Sequence, residues 1–482
     1  MQPDALDSSA RANDVFTGLR ADLGAAAVLT GEDIPARNTH DWGVSPPCPP
    51  AAVLRPADAN EVSRVVKACV AAGIPFVAQG GMTGLCGGAT PLPGWAAISL
   101  ERMNGIEDID TANATMTVKA GTPLEVIQKA ADEAGFLVPL DLGARGSCTI
   151  GGNLSTNAGG IRVLRYGMTR DLVLGLEVVL PDGAVITSLN TLLKNNSGYD
   201  LKHLFIGSEG TLGIITRAVL RLYPKPRRTV TAVCGLAAYG DVVTLLRSAR
   251  DAFGPKLSAF EVMWSSFWKV VTGPVGLRSP IAPDYALYAM IELHEFDEDA
   301  GPESMENWLA LMIERGTVLD AAVAQSLAQE SAFWALRESG PEFGAAIGPH
   351  ISYDVGVSAD RLGDFAEACE AALRRSVPGC DCVLYGHVGD GNLHLDVFVP
   401  GLDIARQPKD AIDRTIYTLV AEWGGNISAE HGIGTTKRKW LSYARSDAEI
   451  ELMRTLKKAL DPANLLNPGK VVAVENEPRL PS

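Results

Sequence analysis

The chain has little of what would mark a membrane, nucleic-acid or secreted protein. No apolar run approaches the roughly 18 residues of a bilayer span; the stretch Leu172–Leu180 is interrupted by Gly175 and Glu177. Basic residues are in deficit, 42 Lys and Arg against 57 Asp and Glu, and the net charge of −15 argues against nucleic acid or an anionic membrane as the main partner. A small acidic substrate stays compatible, because a local cationic pocket overrides the global field. Aromatics make up only 6% of the chain. The eight cysteines form no CxxC pair and no disulfide framework. The first residues, MQPDALDSSARAND, show neither the basic-then-apolar order of a signal peptide nor the acid-poor character of a transit peptide. A reducing cytoplasm is therefore the expected home. Histidine is scarce, at seven residues, so its clustering is informative.

Glycine is plentiful, at 49 residues in 482, and a chain of this length exceeds one hydrophobic core. Four segments are expected. Residues 1–50 form an N-terminal extension ending in Pro46, Pro47, Pro49 and Pro50. Residues 51–228 form a first domain closed by Pro224 and Pro226, residues 229–412 a second, and residues 413–482 a mainly helical C-terminal segment. Within them, Val62, Val65, Val66, Cys69 and Val70 keep helical spacing after Asp58, a good N-cap. Strands are expected at Ile74–Ala78, Thr115–Ala120, Leu174–Leu180, Gly213–Tyr223 and Tyr285–Leu293, and a helix at Leu319–Leu336. The acidic stretch from Glu295 to Glu306 reads as a solvated face.

Two segments of the first domain are dense in glycine: Gly80–Gly88 and Gly143–Gly160. Neither is a Walker loop, and neither fits the GxGxxG dinucleotide fingerprint. Backbone free of side chains can still turn successive N–H groups toward a pyrophosphate, and two such loops in one domain point to a nucleotide cofactor. Together with Asn195–Ile215, these loops resemble the FAD-binding domain of the vanillyl-alcohol-oxidase superfamily. The run DLGARGSCTIGGNLSTNAGGIRVLRYG resembles D-2-hydroxyglutarate dehydrogenases and their D-lactate dehydrogenase relatives, and the likeness runs from about Asn38 to Lys470.

That resemblance implies an α+β fold: a PCMH-type FAD-binding domain, an α/β substrate (cap) domain and the helical C-terminal segment. It implies that Gly80, Gly81, Thr83, Gly84 and Leu85 hold FAD on one side. Ser147, Cys148, Gly151, Gly152, Asn153, Asn157 and Gly159 line the other, with Glu209, Gly210 and Ile215 near the adenosine and Asn467 near the flavin. Family members with covalent FAD use a histidine near the first loop. None occurs between His40 and His203, so noncovalent FAD is expected.

Three histidines fall in two compact motifs. In Tyr385–Gly–His387–Val–Gly–Asp–Gly–Asn–Leu–His394, Asp–Gly is a strong hairpin signal. A two-residue turn at Asp390–Gly391 places His387 directly across from His394, with Cβ atoms about 5 Å apart and Asn392 and Asp396 on the same face. Taken alone, the pair also reads as two structural histidines. The second motif, Ser428–Ala–Glu430–His431–Gly–Ile–Gly434, is not HExxH. Two histidines and a carboxylate with open positions suit a catalytic divalent metal. The resemblance assigns His387, His394 and Glu430 as ligands, with zinc the first choice, and His431 as general base. It makes Arg337 a carboxylate clamp, whose alternative reading is an ion pair at the surface, and places Ser352, Asn392 and Asp396 at the substrate.

The reaction implied is oxidation of a D-2-hydroxy acid to the 2-oxo acid, with hydride passed to FAD and onward to an electron-transferring flavoprotein or a quinone. Glycolate or sugar-acid dehydrogenation and noncatalytic electron carriage are the alternatives, and a homodimer is an open option. The chain departs from D-2-hydroxyglutarate dehydrogenases at three positions. Their Thr and Lys correspond to Pro341 and Ser352, and an Asn to Asp396. A substrate with a neutral or hydroxylated side chain, such as D-lactate or a sugar acid, is therefore expected.

Overall fold

The computed structural model describes residues 3–43, 45–297 and 301–474. The chain forms two compact units, each assembled from separate pieces. One gathers Met1–Ala158, Met168–Pro224 and Glu430–Pro481; the other gathers Gly159–Gly167 and Lys225–Ala429. A linear partition of the sequence has no means of expressing this interleaving.

The first unit holds two larger sheets. In the four-stranded one the order is Val28–Leu29, Ala52–Leu54, Ala96–Ser99, Phe76–Gln79, and its last three strands run parallel. Residues ahead of the proline cluster take part, since Val28 pairs with Leu54. The helix Ala59–Ala72 starts where the Asp58 carboxylate accepts the Glu61 N–H at 2.8 Å and buries Val62, Val65, Val66 and Cys69. The five-stranded sheet, built around Thr115–Lys119, Ile214–Arg221 and Val173–Val179, is antiparallel. The chain's last described segment returns here: Phe76 donates its N–H to Leu465 at 2.8 Å and accepts that of Asn467 at 2.8 Å.

The second unit is built on one seven-stranded sheet. Its order is Asp320–Val323, Arg228–Leu236, Leu287–Glu295, Leu257–Trp264, Asp381–Gly386, Asn392–Phe398, Ile351–Gly356, and every pairing is antiparallel. Its aromatic core sets Trp268 flat against Tyr288, ring centroids 3.9 Å apart, beside Phe267, Phe343 and Tyr385.

Three local expectations are corrected. The run expected as one helix from Leu319 to Leu336 is a strand, Asp320–Val323, followed by a helix, Leu327–Arg337. The small apolar residues of the first part complete the sheet beside Ala232–Gly235, and Ser326 caps the helix by accepting the Gln329 N–H. Glu295 is not on a solvated face: it is buried at the strand end and paired with Lys256 at 2.8 Å. Glu303 and Glu306 are exposed, while Glu298 and Asp299 lie outside the described residues.

The third correction concerns the histidine hairpin. Its connection is a 3-10 turn at Val388–Asp390, and His394 pairs with Tyr385, not with His387. A two-residue type I′ turn needs positive φ at both positions; here Gly391 alone adopts it, at +85°. The turn is closed by the His387 carbonyl, which accepts the N–H groups of Asp390 and Asn392 at 3.1 and 3.2 Å. His387 therefore leaves the ladder and stands at its end.

Candidate functional site

In the first unit the two glycine loops meet by close backbone approach. A Cβ on Gly81 would run into the Ser147 carbonyl and the Cys148 Cα, and one on Gly80 into the Thr149 hydroxyl. Gly151 sits against Ala120, where a Cβ would meet the alanine methyl at 2.7 Å. Between these loops the Thr149 hydroxyl and the Asn153 carbonyl oxygen are buried with no hydrogen-bond partner. Buried polar atoms are normally satisfied, so a polar ligand fits this cradle. Gly84, Leu85 and Ser147 are exposed and Thr83 is half-buried, while Cys148 is buried. Burial pushes the Cys148 thiol upward, away from thiolate chemistry.

Other residues expected at the cofactor also make contacts within the protein. Glu209 accepts the N–H groups of Ile433 and Gly434 on its two oxygens, at 2.6 and 2.8 Å. It thus grips the loop that follows His431. Burial pushes its carboxyl upward, against those donors and the charges of Lys437 and Lys470. Asn467 donates to the Glu209 carbonyl at 2.8 Å and accepts from Ala78 at 3.0 Å, so its amide braces the loop containing Gly210. Asn157 accepts the Arg170 N–H at 2.9 Å. Ile215 is buried in its strand, and Gly159 is the first residue of the piece belonging to the second unit. Sequence spacing did not point to Lys470 as a brace. It is buried and donates to the Gly87 and Thr90 carbonyls at 2.8 and 2.6 Å, closing the first loop, and burial lowers its pKa to about 8.

In the second unit the strand pairing puts Tyr385, His394 and Asp354 in one row and, two residues along each strand, Val383, Asp396 and Ser352 in another. The His387 and His394 rings lie 5.3 Å apart between centroids and nearly perpendicular, at 82°. Glu430 follows directly on this unit: Ser428, two residues earlier, bonds Asp354 at 3.1 Å. Among the described residues, His387, His394 and Glu430 form a metal-competent group, one ligand atom from each lying within 4.8 Å of the others. The next residue, His431, is half-buried.

Arg337 is no surface ion pair. It is buried, its Nε donates to Glu261 at 2.8 Å, and its guanidinium lies 4.9 Å from the Tyr385 ring centroid. Its Nη2 is buried with no partner, as is Oδ1 of Asn392, whose amide nitrogen is held by Asp354 at 2.7 Å. Asp396 is buried, accepts the Ser352 hydroxyl at 2.6 Å and faces His350 Nε2 at 3.9 Å. Of the side chains expected at metal and substrate, His387, Asn392 and His394 lie at the turn end of one hairpin, and Asp396, paired with Ser352 of the neighbouring strand, lies farther along it.

Residues 50–188 match the family described as FAD binding domain, and residues 225–471 match FAD linked oxidases, C-terminal domain. A D-2-hydroxyglutarate dehydrogenase of Xanthomonas citri pv. viticola is 40% identical over 434 residues, 89% of this chain and 90% of that protein. A probable mitochondrial D-2-hydroxyglutarate dehydrogenase of Oryza sativa subsp. indica is 39% identical over 472 residues, 95% of this chain and 82% of that protein. The chain belongs to the D-2-hydroxyglutarate dehydrogenase family of FAD-linked oxidases. Like the rest of that family it is a FAD-linked oxidoreductase. Its fold is shared with p-cresol methylhydroxylase, at TM-score 0.76 and 18% identity, over 97% of this chain and 98% of that one. Among the described residues, no helix of this FAD-linked oxidase is long and apolar enough to cross a membrane.

Glu261 went unnoticed in the sequence. It is buried, and while one oxygen takes Arg337, the other takes His387 Nδ1 at 2.8 Å. Burial pushes its carboxyl up, but the His387 and Arg337 charges and hydrogen bonds outweigh it and hold the pKa below the usual value. The signal was available: Leu257–Ser–Ala–Phe–Glu–Val–Met–Trp264 carries one charge in an otherwise apolar run.

Proposed function

We propose that this FAD-linked oxidoreductase oxidises a D-2-hydroxy acid to the 2-oxo acid, using noncovalent FAD and a divalent metal, zinc first. The observation that carries this reading is the convergence of His387, His394 and Glu430 at the hairpin that also carries Asn392 and sets Tyr385 against Arg337. When bound, the metal would polarise the substrate hydroxyl, and FAD would supply the hydride acceptor. The metal donor set fits: Glu261 fixes the Nδ1 side of His387, which leaves Nε2 as the ligating atom. The orphaned Thr149 and Asn153 atoms suit a polar cofactor such as FAD.

The chain's own groups have distinct tasks. Arg337, with Nη2 unpartnered, binds the substrate's C1 carboxylate. Asn392 offers its amide oxygen toward the same space, and a ring nitrogen of His431 takes the hydroxyl proton, a role suited to imidazole near neutrality. Glu209 holds the loop after His431 in place. An electron-transferring flavoprotein or a quinone then reoxidises the flavin.

Ser352 and Asp396 favour a substrate without a second carboxylate. The cation that would hold one is replaced by a serine, and Asp396 is a buried carboxylate beside it. D-Lactate or a sugar acid then outperforms D-2-hydroxyglutarate. The test is anaerobic stopped-flow reduction of the flavin by a panel of D-2-hydroxy acids. Bleaching by at least one of them is expected, and a flavin that stays oxidised with every member would overturn the reading. Acid precipitation checks the cofactor: yellow supernatant is expected, and colour retained in the pellet would mean covalent attachment.

A further inference from the structure

We infer that Glu261 is a positioning residue that serves the metal-ligating histidine and the substrate-binding arginine at once, so that metal and substrate binding are coupled through one buried carboxylate. The inference rests on the reading of His387 as a ligand and Arg337 as a clamp.

The geometry divides the work between the two oxygens. Oε1 lies 2.8 Å from His387 Nδ1, and Oε2 lies 2.8 Å from Arg337 Nε. A carboxylate against Nδ1 requires the proton on that nitrogen, so Nε2 carries the lone pair that a metal needs. Held through Nε, the guanidinium keeps its outer nitrogens for a substrate, and Nη2 is the one without a partner. The Tyr385 ring, 4.9 Å from the guanidinium carbon, limits its swing from the side. Glu261 is buried in the strand Leu257–Trp264, flanked by its partners Leu287–Glu295 and Asp381–Gly386, so water cannot replace either contact. A metal ion on Nε2 makes the Nδ1 proton more acidic and draws the carboxylate charge toward His387. The Arg337 charge is then less neutralised, and a substrate carboxylate binds it more tightly. Linkage makes the effect reciprocal: bound substrate tightens the metal.

Glu261→Gln and Arg337→Gln separate this from a merely structural role. The glutamine presents one acceptor oxygen and one NH2, so it cannot accept from both partners. Zinc affinity is measured by competition with a chromogenic chelator, and kcat and KM are measured separately with D-lactate and D-2-hydroxyglutarate. Flavin content and thermal unfolding of the metal-stripped protein control for folding. Glu261→Gln is expected to bind zinc roughly 10- to 100-fold more weakly, to raise KM, and to keep its flavin. Arg337→Gln leaves the His387 contact in place and is expected to raise KM while binding zinc at least as tightly as the wild type, because the whole carboxylate charge then faces His387. Wild-type zinc affinity in Glu261→Gln would overturn the proposal alone, as would equal weakening in both variants, which marks general loss of packing. A wild-type protein that binds no zinc would overturn it together with the metal reading.

Discussion

The second unit contains the same trio twice, a buried glutamate with an arginine and a histidine, on adjacent strands of one sheet. In the first, Glu261 holds Arg337 and His387. In the second, Glu292 accepts from the Ser258 hydroxyl at 2.5 Å, His294 Nε2 at 3.0 Å and Arg162 Nε at 3.3 Å. The difference lies in the far side of each histidine. His294 is closed, because its Nδ1 meets the Tyr166 hydroxyl at 2.9 Å. The first trio is open only in the sense that its histidine, His387, also belongs to the metal-competent group with His394 and Glu430. Arginines differ likewise: Arg337 retains an unpartnered nitrogen. A closed trio can only stabilise, and an open one can bind.

This comparison breaks if the two trios respond alike to substitution. The largest effect is expected at the open site. His394→Ala, or prolonged chelation of the wild type, should abolish turnover while the flavin spectrum stays nearly intact. Full activity in protein shown to be metal-free by elemental analysis would end the distinction. Next comes the closed site, where Glu292→Gln should cost stability, about 3–5 kcal/mol for breaking a buried ion pair, with flavin reduction by the preferred hydroxy acid retained at permissive temperature. Calorimetry of both proteins provides the measurement.

The same variant has a pH signature. Burial pushes the Glu292 carboxyl up, but Arg162, His294 and Ser258 overcome this and hold it far below the usual carboxylate range. A depressed carboxylate contributes stability that is present above its unfolded pKa of about 4.3 and lost as pH falls below it. The stability gap between wild type and Glu292→Gln should therefore narrow as the pH is taken below about 4. A gap that stays constant in acid unfolding curves would show that the ion pair is not its source.

Two smaller changes sharpen the contrast. Ser352→Lys should raise catalytic efficiency toward D-2-hydroxyglutarate by roughly 10- to 150-fold, the equivalent of one hydrogen bond to a charged group. If the wild type already prefers that substrate over D-lactate, the substitution argument at Ser352 and Asp396 is wrong. Tyr166→Phe should cost only about 1 kcal/mol and leave zinc affinity unchanged, because it touches the closed histidine alone.

How much of this was legible depended on whether a signal was local. The Asp58 cap, the helix behind it and the strand before the first glycine loop are short-range patterns, and they appear within a residue or two of where spacing put them. The glycine loops announced a backbone-built cradle. The hairpin was visible too, but its register was not, because Asp–Gly allows either a two-residue turn or the longer one that sets His387 outside the ladder. Glu209 and Asn467 are assigned to the cofactor by resemblance, and their partners in other loops, 224 residues away in the case of Ile433, were not foreseen. Such pairings leave no periodic trace. Glu261 and Glu292 did leave one, as single charges inside apolar strands, and that pattern deserves the same weight as a histidine pair.

The interleaving of the two units has a genetic consequence. The backbone passes between them after Ala158, Gly167, Pro224 and Ala429, so no single cut in the gene separates one from the other. A fragment encoding 225–429 would carry Glu292 and His294 but leave behind Arg162 and Tyr166, which belong to the nine-residue piece Gly159–Gly167. It would expose a buried anion with its cation on another polypeptide. Grafting the substrate half of this oxidoreductase onto a different flavin half thus requires two simultaneous insertions, and recombination at one breakpoint yields chimeras with an orphaned charge in the core.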